Sequence, residues 1–116
     1  MNIFIIGSVR GASPAEQGKL DHHAMQLESD GHSVHLPHRD TEQDADGIDI
    51  CRQNREAIQK ADIVHIFYCP ESQGTHFDMG VAFALDKPLK VVSNVEYGLG
   101  KSYPRMIDEW HSREPK

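Results

Sequence analysis

What most constrains the fold of this chain is an alternation. Short apolar runs of strand length recur along it, and the stretches between them read as helices. Asn2–Ile6 is a continuous apolar run that stops at Gly7, the pattern of a central parallel strand covered on both faces. Ser13, Pro14 and Glu16 then open a helix: a serine cap, proline at the first helical position, and a glutamate that completes a capping box. That helix is expected to run to about Asp30 and to stop at Gly31, which suits a left-handed cap. Ser33–Pro37 alternates, with prolines and histidines nearby, and reads as an edge strand. His38–Gly47 is acidic and polar, hence a loop. Ile48–Lys60 reads as the second helix, Asp62–Tyr68 as the third strand, Gln73–Leu85 as the third helix and Leu89–Ser93 as the fourth strand. Asn94–Lys101 is a glycine-containing loop. Tyr103–His111 is a final helix with Tyr103, Met106, Ile107 and Trp110 on one face, suited to the core or to a partner.

This order predicts an α/β fold: a doubly wound parallel sheet of four to five strands, flavodoxin- or Rossmann-like, with helices on both faces. Right-handed crossovers lead to the strand order 2-1-3-4. The winding then reverses between strands one and three, and ligands bind at such a reversal, outside the carboxyl ends of the strands. With 116 residues the chain is expected to be a single domain, 1–116, without repeats or linkers. A domain of this size buries about two-thirds of its unfolded surface and needs no disulfide or metal to fold.

Composition excludes several classes. A net charge of −6 argues against broad nucleic-acid binding, which wants a basic face, but not against a small phosphate ligand. The two cysteines, Cys51 and Cys69, match no zinc or redox spacing and read as reduced, partly buried thiols of a cytoplasmic protein. The eight histidines are scattered and form no metal motif. No apolar run reaches the roughly 18 residues of a membrane span. The first strand follows Met1 directly, so no signal peptide is expected.

Two loops carry the chemistry. The first, Gly7–Ser8–Val9–Arg10–Gly11, leaves the first strand. Gly7 and Gly11 let the backbone turn and approach a ligand, Ser8 offers a hydroxyl, and Arg10 offers a planar cation suited to phosphate. The helix N-terminus behind it adds amide donors. Alone, this loop reads equally as a turn with a solvated arginine. The second, Ser72–Gln73–Gly74–Thr75, leaves the third strand and leads into a helix with Asp78 in its first turn. Thr75 and Asp78 have capping-box spacing, and Ser72 can cap one turn earlier, so a structural role stands beside the functional one. Ser72 would otherwise bind phosphate and Asp78 would face a sugar carbon. Asn54 lies on the apolar face formed by Ile50, Ala57, Ile58 and Ala61, where an amide must find partners or sit at the rim. His65 reads as a buried strand residue and His76 as a neutral first-turn residue, neither catalytic.

Taken together, Ile6–Gly11, Ala61–Val64 and the segment 72–88 ending in Lys87–Pro88 resemble the nucleoside 2-deoxyribosyltransferase superfamily. The resemblance is closest to its 2′-deoxynucleoside 5′-monophosphate N-glycosidase branch and spans the first to the fourth strand. It implies cleavage or exchange of a nucleoside N-glycosidic bond without a metal or organic cofactor, on a nucleotide or nucleoside as the small-molecule partner, by a homodimer. Asp78 matches the family's nucleophilic glutamate, and Asn54 matches an assisting aspartate. Ser72 matches a phosphate-binding serine, and Ser8, Arg10 and Gly11 match the loop around the 5′-phosphate. Asn94 and Ser102 are the polar residues that would reach a neighbouring subunit. Both catalytic positions depart from the family residue. One expectation is therefore glycosidic cleavage or transfer through Asp78, with Asn54 as orienter, Ser8, Arg10, Gly11 and Ser72 holding phosphate, and Gly7 and Gly74 lining the site. The other is a nucleotide-binding protein on the same scaffold that does not cleave. A flavodoxin-like receiver is disfavoured, because no acidic cluster follows the first strand.

Overall fold

The computed structural model describes residues 1–9, 12–93 and 101–113. In chain order the elements are β1 (Asn2–Ile6), α1 (Pro14–Ser29), β2 (Ser33–His35), α2 (Pro37–Asp40), α3 (Gly47–Lys60), β3 (Ile63–Ile66), α4 (Gln73–Ala84), β4 (Leu89–Val91) and α5 (Tyr103–Ser112). The four strands form one all-parallel sheet in the order β2-β1-β3-β4. The register sets Ile3 against Val34 and Ile63, and Ile66 against Val91.

Each face of the sheet has its own core. On one face Phe4, Ile6, Val64, Ile66 and Leu89 pack against Ile58 of α3, Met79 and Ala82 of α4, and Ile107 of α5. On the other, Ile5 and Leu36 pack against Leu20 and Ala24 of α1. A large apolar side chain buried in this way contributes about 1.5–3 kcal/mol over an exposed position. Burial of β1 and β3 on both faces is why these strands are apolar without alternation. The one polar residue in β3, His65, is buried and meets His23 of α1, with Nε2 of His23 2.8 Å from Nδ1 of His65.

The local signals act where the residues predict. Ser13 accepts from the amide of Glu16 at 3.1 Å, and Glu16 accepts from that of Ser13, closing the capping box. Gly31 has φ 95°, a conformation that a side chain would strain. The Ala61–Val64 and Lys87–Pro88 segments are joints. Asp62 accepts from the amide of Asn2 at 2.7 Å, and the Lys87 ammonium donates to the carbonyls of Gln59 and Ala61, capping the end of α3. The apolar face of α5 belongs to the core. Ile107 is buried, Met106 and Trp110 pack beside it, and Trp110 Nε1 donates to the carbonyl of Lys87. Tyr103 is exposed and touches His76 edge-on.

Three expectations change. The fold of 33–47 is less simple: β2 ends at His35, and Pro37 starts the four-residue α2 inside the stretch expected as loop. Pro37 has no amide proton and a fixed φ, which suits a helix start better than a strand end. Secondly, α4 begins at Gln73, so Asp78 lies in its second turn, not its first. Thirdly, Thr75 and Asp78 form no capping box; Ser72 is the cap, accepting from the amide of Thr75 at 3.1 Å. The loop 94–101, except Lys101, lies outside the described residues.

Candidate active site

A cleft of about 510 Å³ opens outside the carboxyl ends of the strands. Gly7 and Val9 bound it from the end of β1, Ile50, Cys51 and Asn54 from α3, and Ser72, Gly74, Phe77 and Asp78 from α4 and the residue before it. Two segments far apart in sequence thus present Asn54 and Asp78 to one space. Parallel strands and right-handed crossovers bring these loops together.

Asp78 is the unusual residue here, a carboxylate only 7% exposed in a cleft wall. Removal from water disfavours its charged form, and the polar amide of Asn54 in the same wall favours it. Burial is the larger effect, and the pKa is pushed up from 3.8 to about 7. Asn54 is itself buried, and its Oδ1 accepts a 2.6 Å hydrogen bond from the Thr41 hydroxyl. Thr41 Oγ1 lies 2.8 Å from His35 Nε2. The His35 ring is stacked on Phe4, with centroids 5.3 Å apart. Its pKa lies below the ordinary histidine value, mainly through burial. Hydrogen bonds therefore link His35, Thr41 and Asn54 from the edge strand to the cleft wall that Asn54 shares with Asp78.

Ser72 Oγ accepts the amide of Thr75, which leaves its hydroxyl proton to donate elsewhere, at the N-terminus of α4 where anions are favoured. His76 is held by two neighbours. Its Nδ1–H donates to the carbonyl of Ser72 at 2.7 Å, and its Nε2 accepts from the Tyr68 hydroxyl at 2.9 Å. That pair braces the Ser72 turn.

Of the residues the sequence singled out, Gly7, Asn54, Ser72, Gly74 and Asp78 line this cleft. Ser8 does not. It borders an adjacent cleft of about 310 Å³ with Lys19, Tyr68 and Ser93, and Glu71 stands between the two. Gly7 has a packing role beyond its place in the wall: a Cβ there would lie 2.7 Å from Leu20 Cδ2, so a bare backbone lets α1 seat on β1. A Cβ at Gly74 would meet nothing closer than Ser72 Oγ at 3.9 Å, so space does not require glycine there. Arg10, Gly11 and Asn94 lie outside the described residues. Ser102 caps α5 by accepting the amide of Arg105 at 3.3 Å. Thr41 and His35 were invisible as site residues, since one falls in a polar stretch read as loop and the other in an edge strand. Among the described residues no three His, Cys, Asp or Glu side chains are placed to hold a metal, and no helix is long and apolar enough to cross a membrane. A separate depression of about 420 Å³ between β2 and α3 contains none of the expected residues.

Residues 3–106 match the model of the family described as nucleoside 2-deoxyribosyltransferase. No match is found among curated proteins. The fold is similar to that of solved structures. A 2-deoxyribosyltransferase from Bacillus psychrosaccharolyticus is 16% identical with a TM-score of 0.69, covering 97% of this chain and 91% of the other. The CMP N-glycosidase BcmB of Clostridium botulinum is 22% identical with a TM-score of 0.60, covering 95% of this chain and 80% of the other. A 2-deoxyribosyltransferase from Leishmania mexicana is 20% identical with a TM-score of 0.62, covering 78% of this chain and 63% of the other.

Proposed function

The chain belongs to the nucleoside 2-deoxyribosyltransferase family, and from that premise we propose that it cleaves or transfers the N-glycosidic bond of (deoxy)nucleoside 5′-monophosphates. The family acts by glycosyl transfer or hydrolysis on nucleosides and nucleotides. The observation that carries the reading to this chain is the buried carboxylate of Asp78 in the cleft wall, with the buried amide of Asn54 lining the same cleft. In its ionised form Asp78 attacks the anomeric carbon. The bond to the base breaks, a glycosyl ester forms, and the base leaves with a proton from water. Water or a second base then displaces the carboxylate, as in retaining glycosidases. Asn54 orients the carboxylate but has no proton to exchange at neutral pH. The Ser72 hydroxyl and the N-terminus of α4 receive the phosphate, with Arg10 and Gly11 as its further partners. Ser8 joins them only if the phosphate extends past Glu71 toward the adjacent cleft.

Among the described lining residues of the cleft there is no cation, while Glu71 and Asp78 are acidic. Discrimination for the monophosphate therefore falls on Arg10. Exposed Ile48 and Phe77, the latter in the cleft wall, support a second copy of the chain as the remaining wall in a homodimer.

The test is release of free base from a panel of ribo- and deoxynucleoside monophosphates at pH 8. Release that disappears in Asp78→Ala, and that loses its preference for monophosphates in Arg10→Ala, is the expected result. Binding without release over days would leave the second reading, a nucleotide-binding protein. That reading draws on Asn54, which cannot serve as acid or base where the family has an aspartate.

A further inference from the structure

Helix α1 has a thin apolar seam with the sheet. Of its sixteen residues only Leu20 and Ala24 are buried, and Leu27 packs beside them. His23 shares that face, one turn after Leu20, and continues the seam over β3. Its Nε2 lies 2.8 Å from Nδ1 of His65, and its ring stands edge-on to Phe67 with centroids 5.3 Å apart. His65 is only 5% exposed, in the middle of an inner strand, between Ile5 of β1 and Lys90 of β4 in register. A helix–sheet seam of this kind ordinarily holds aliphatic side chains. Two imidazoles in that place make the docking of α1 depend on protons.

Two ring nitrogens 2.8 Å apart need one proton on the line between them. Two neutral rings supply it, since each carries one N–H and one lone pair. A first added proton goes to an outer nitrogen and leaves the contact intact. A second puts N–H on both facing nitrogens, and the rings part. The surroundings resist even the first. Burial disfavours charge at both rings, and the groups that act on them are Lys90 of β4, His22 of α1 and His32 ahead of β2, all basic and with no carboxylate among them. Both rings therefore titrate below the ordinary histidine value, His65 at about 4. Lys19, one turn before His23, borders the adjacent cleft and adds positive charge to the same side of α1. The ion pairs of α1 lie elsewhere: Asp21 meets His38 at 2.7 Å and Glu28 meets Arg39 at 3.0 Å, both tying it to α2. Protonation of His38 strengthens the first and leaves the second.

We infer that His23 and His65 form an acid-sensitive latch, which fastens α1 to β3 at neutral pH and in acid releases it while its ion pairs with α2 remain. The sign follows from linkage. The open form binds protons at about 6.5, the ordinary histidine value, and the closed form binds them only at lower pH, so closure is fully favoured above about 6.5 and weakens as pH falls below it. The release bears on the cleft as well. Leu20 sits against the bare backbone of Gly7, which lines the cleft, and Leu20 and Phe67 both border the adjacent one. The latch thus secures the helix that packs against the first turn of the cleft wall, whether or not the protein cleaves a glycosidic bond.

The experiment follows the whole protein by NMR between pH 7.5 and pH 5, through the ¹⁵N signals of the histidine rings and through amide hydrogen exchange corrected for its intrinsic pH dependence. At pH 5 a free histidine is protonated about thirtyfold over neutral, so the amides of Ala24 to Leu27 are expected to lose at least about tenfold in protection. At pH 5 they exchange faster than the amides of β3, because α1 lifts before the sheet opens. The rings of His23 and His65 titrate below that of exposed His22. In the paired variant His23→Leu, His65→Val an aliphatic contact replaces the latch, and the pH dependence of α1 protection disappears. A folded paired variant that keeps it overturns the inference. So do three results in the parent, which need no variant to fold: unchanged protection of α1, amides of α1 and β3 that fail together, or His23 and His65 titrating with His22. None of these signals requires turnover, so the glycosidase reading and this one stand or fall separately.

Discussion

Replacing Asp78 by asparagine exchanges a buried charge for an amide of the same shape, and the structure sets the sign and size of the effect on stability. The carboxyl titrates near 3.8 in an unfolded chain and at about 7 in the native one. The native state therefore holds a proton that the unfolded state has released throughout that window. Stability falls as pH rises through it and levels off above about 7. A displacement of this size corresponds to on the order of 4 kcal/mol at about 1.4 kcal/mol for each tenfold in proton affinity. Relaxation of Asn54 and entry of water reduce the observable part to roughly 2–4 kcal/mol. Asp78→Asn removes the titration. Urea unfolding at pH 4, 6 and 8 is expected to show the variant matching the parent at pH 4 and gaining steadily toward pH 8, while base release is lost. A gain that does not depend on pH, or a loss of stability at pH 8, would refute the argument that burial outweighs the influence of the Asn54 amide. On the proposed mechanism, activity follows the same titration in the opposite sense: release by the parent is expected to climb as pH rises through about 7, since only the ionised carboxylate would attack.

Gly7→Ala forces a methyl group to 2.7 Å from Leu20 Cδ2, beneath a helix that cannot retreat without exposing Leu20 and Ala24. A loss of about 1–3 kcal/mol is expected in urea unfolding, and it shrinks when Leu20→Ala is combined with it. Asp86, in the turn after α4, has φ 54°, a left-handed conformation that costs a side chain about 1–2 kcal/mol. Asp86→Gly is expected to raise the melting temperature by about 2–5 °C, because relief of that strain outweighs the added freedom of the unfolded chain; an unchanged or lower value counts against it.

The sheet was legible because each strand is bracketed by residues whose physical roles do not depend on distant contacts. Gly7 and Gly31 stop their elements, Ser13 and Glu16 close a cap within one turn, and the apolar run Ile3–Ile6 has only one comfortable place, the middle of a sheet. Strand order followed from handedness, and the meeting of the Gly7 and Ser72 segments at one cleft followed from strand order. The stretch from Leu36 to Gly47 was not legible, because its role is set by partners elsewhere. Nothing local tells a polar loop from one whose Leu36 and Thr41 are buried.

The same distinction explains the site. Asn54 was identifiable as an amide on an apolar face that must be satisfied, but the pattern names neither its partner nor the carboxylate that shares its cleft wall. The partner, Thr41, lies 13 residues earlier in the polar stretch, and the carboxylate, Asp78, lies on α4. The resemblance matches Asn54 to an assisting aspartate of the family, and a carboxylate at this position would place a second negative charge in the same buried cleft wall as Asp78. The amide removes that repulsion and supplies a donor, so on the proposed mechanism the shorter carboxylate and the neutral neighbour are one adjustment rather than two losses. Restoring the aspartate alone, Asn54→Asp, sets two carboxyls to share a buried site, and one of them must take up a proton. The Thr41 hydroxyl can still donate to the new carboxylate, so the proton settles on Asp78 and its midpoint moves upward. Base release at pH 7 is then expected to fall at least tenfold and to recover in part at pH 9. An Asn54→Asp variant more active than the parent at pH 7 would mean that Asn54 is a lost catalytic group and not a compensating one.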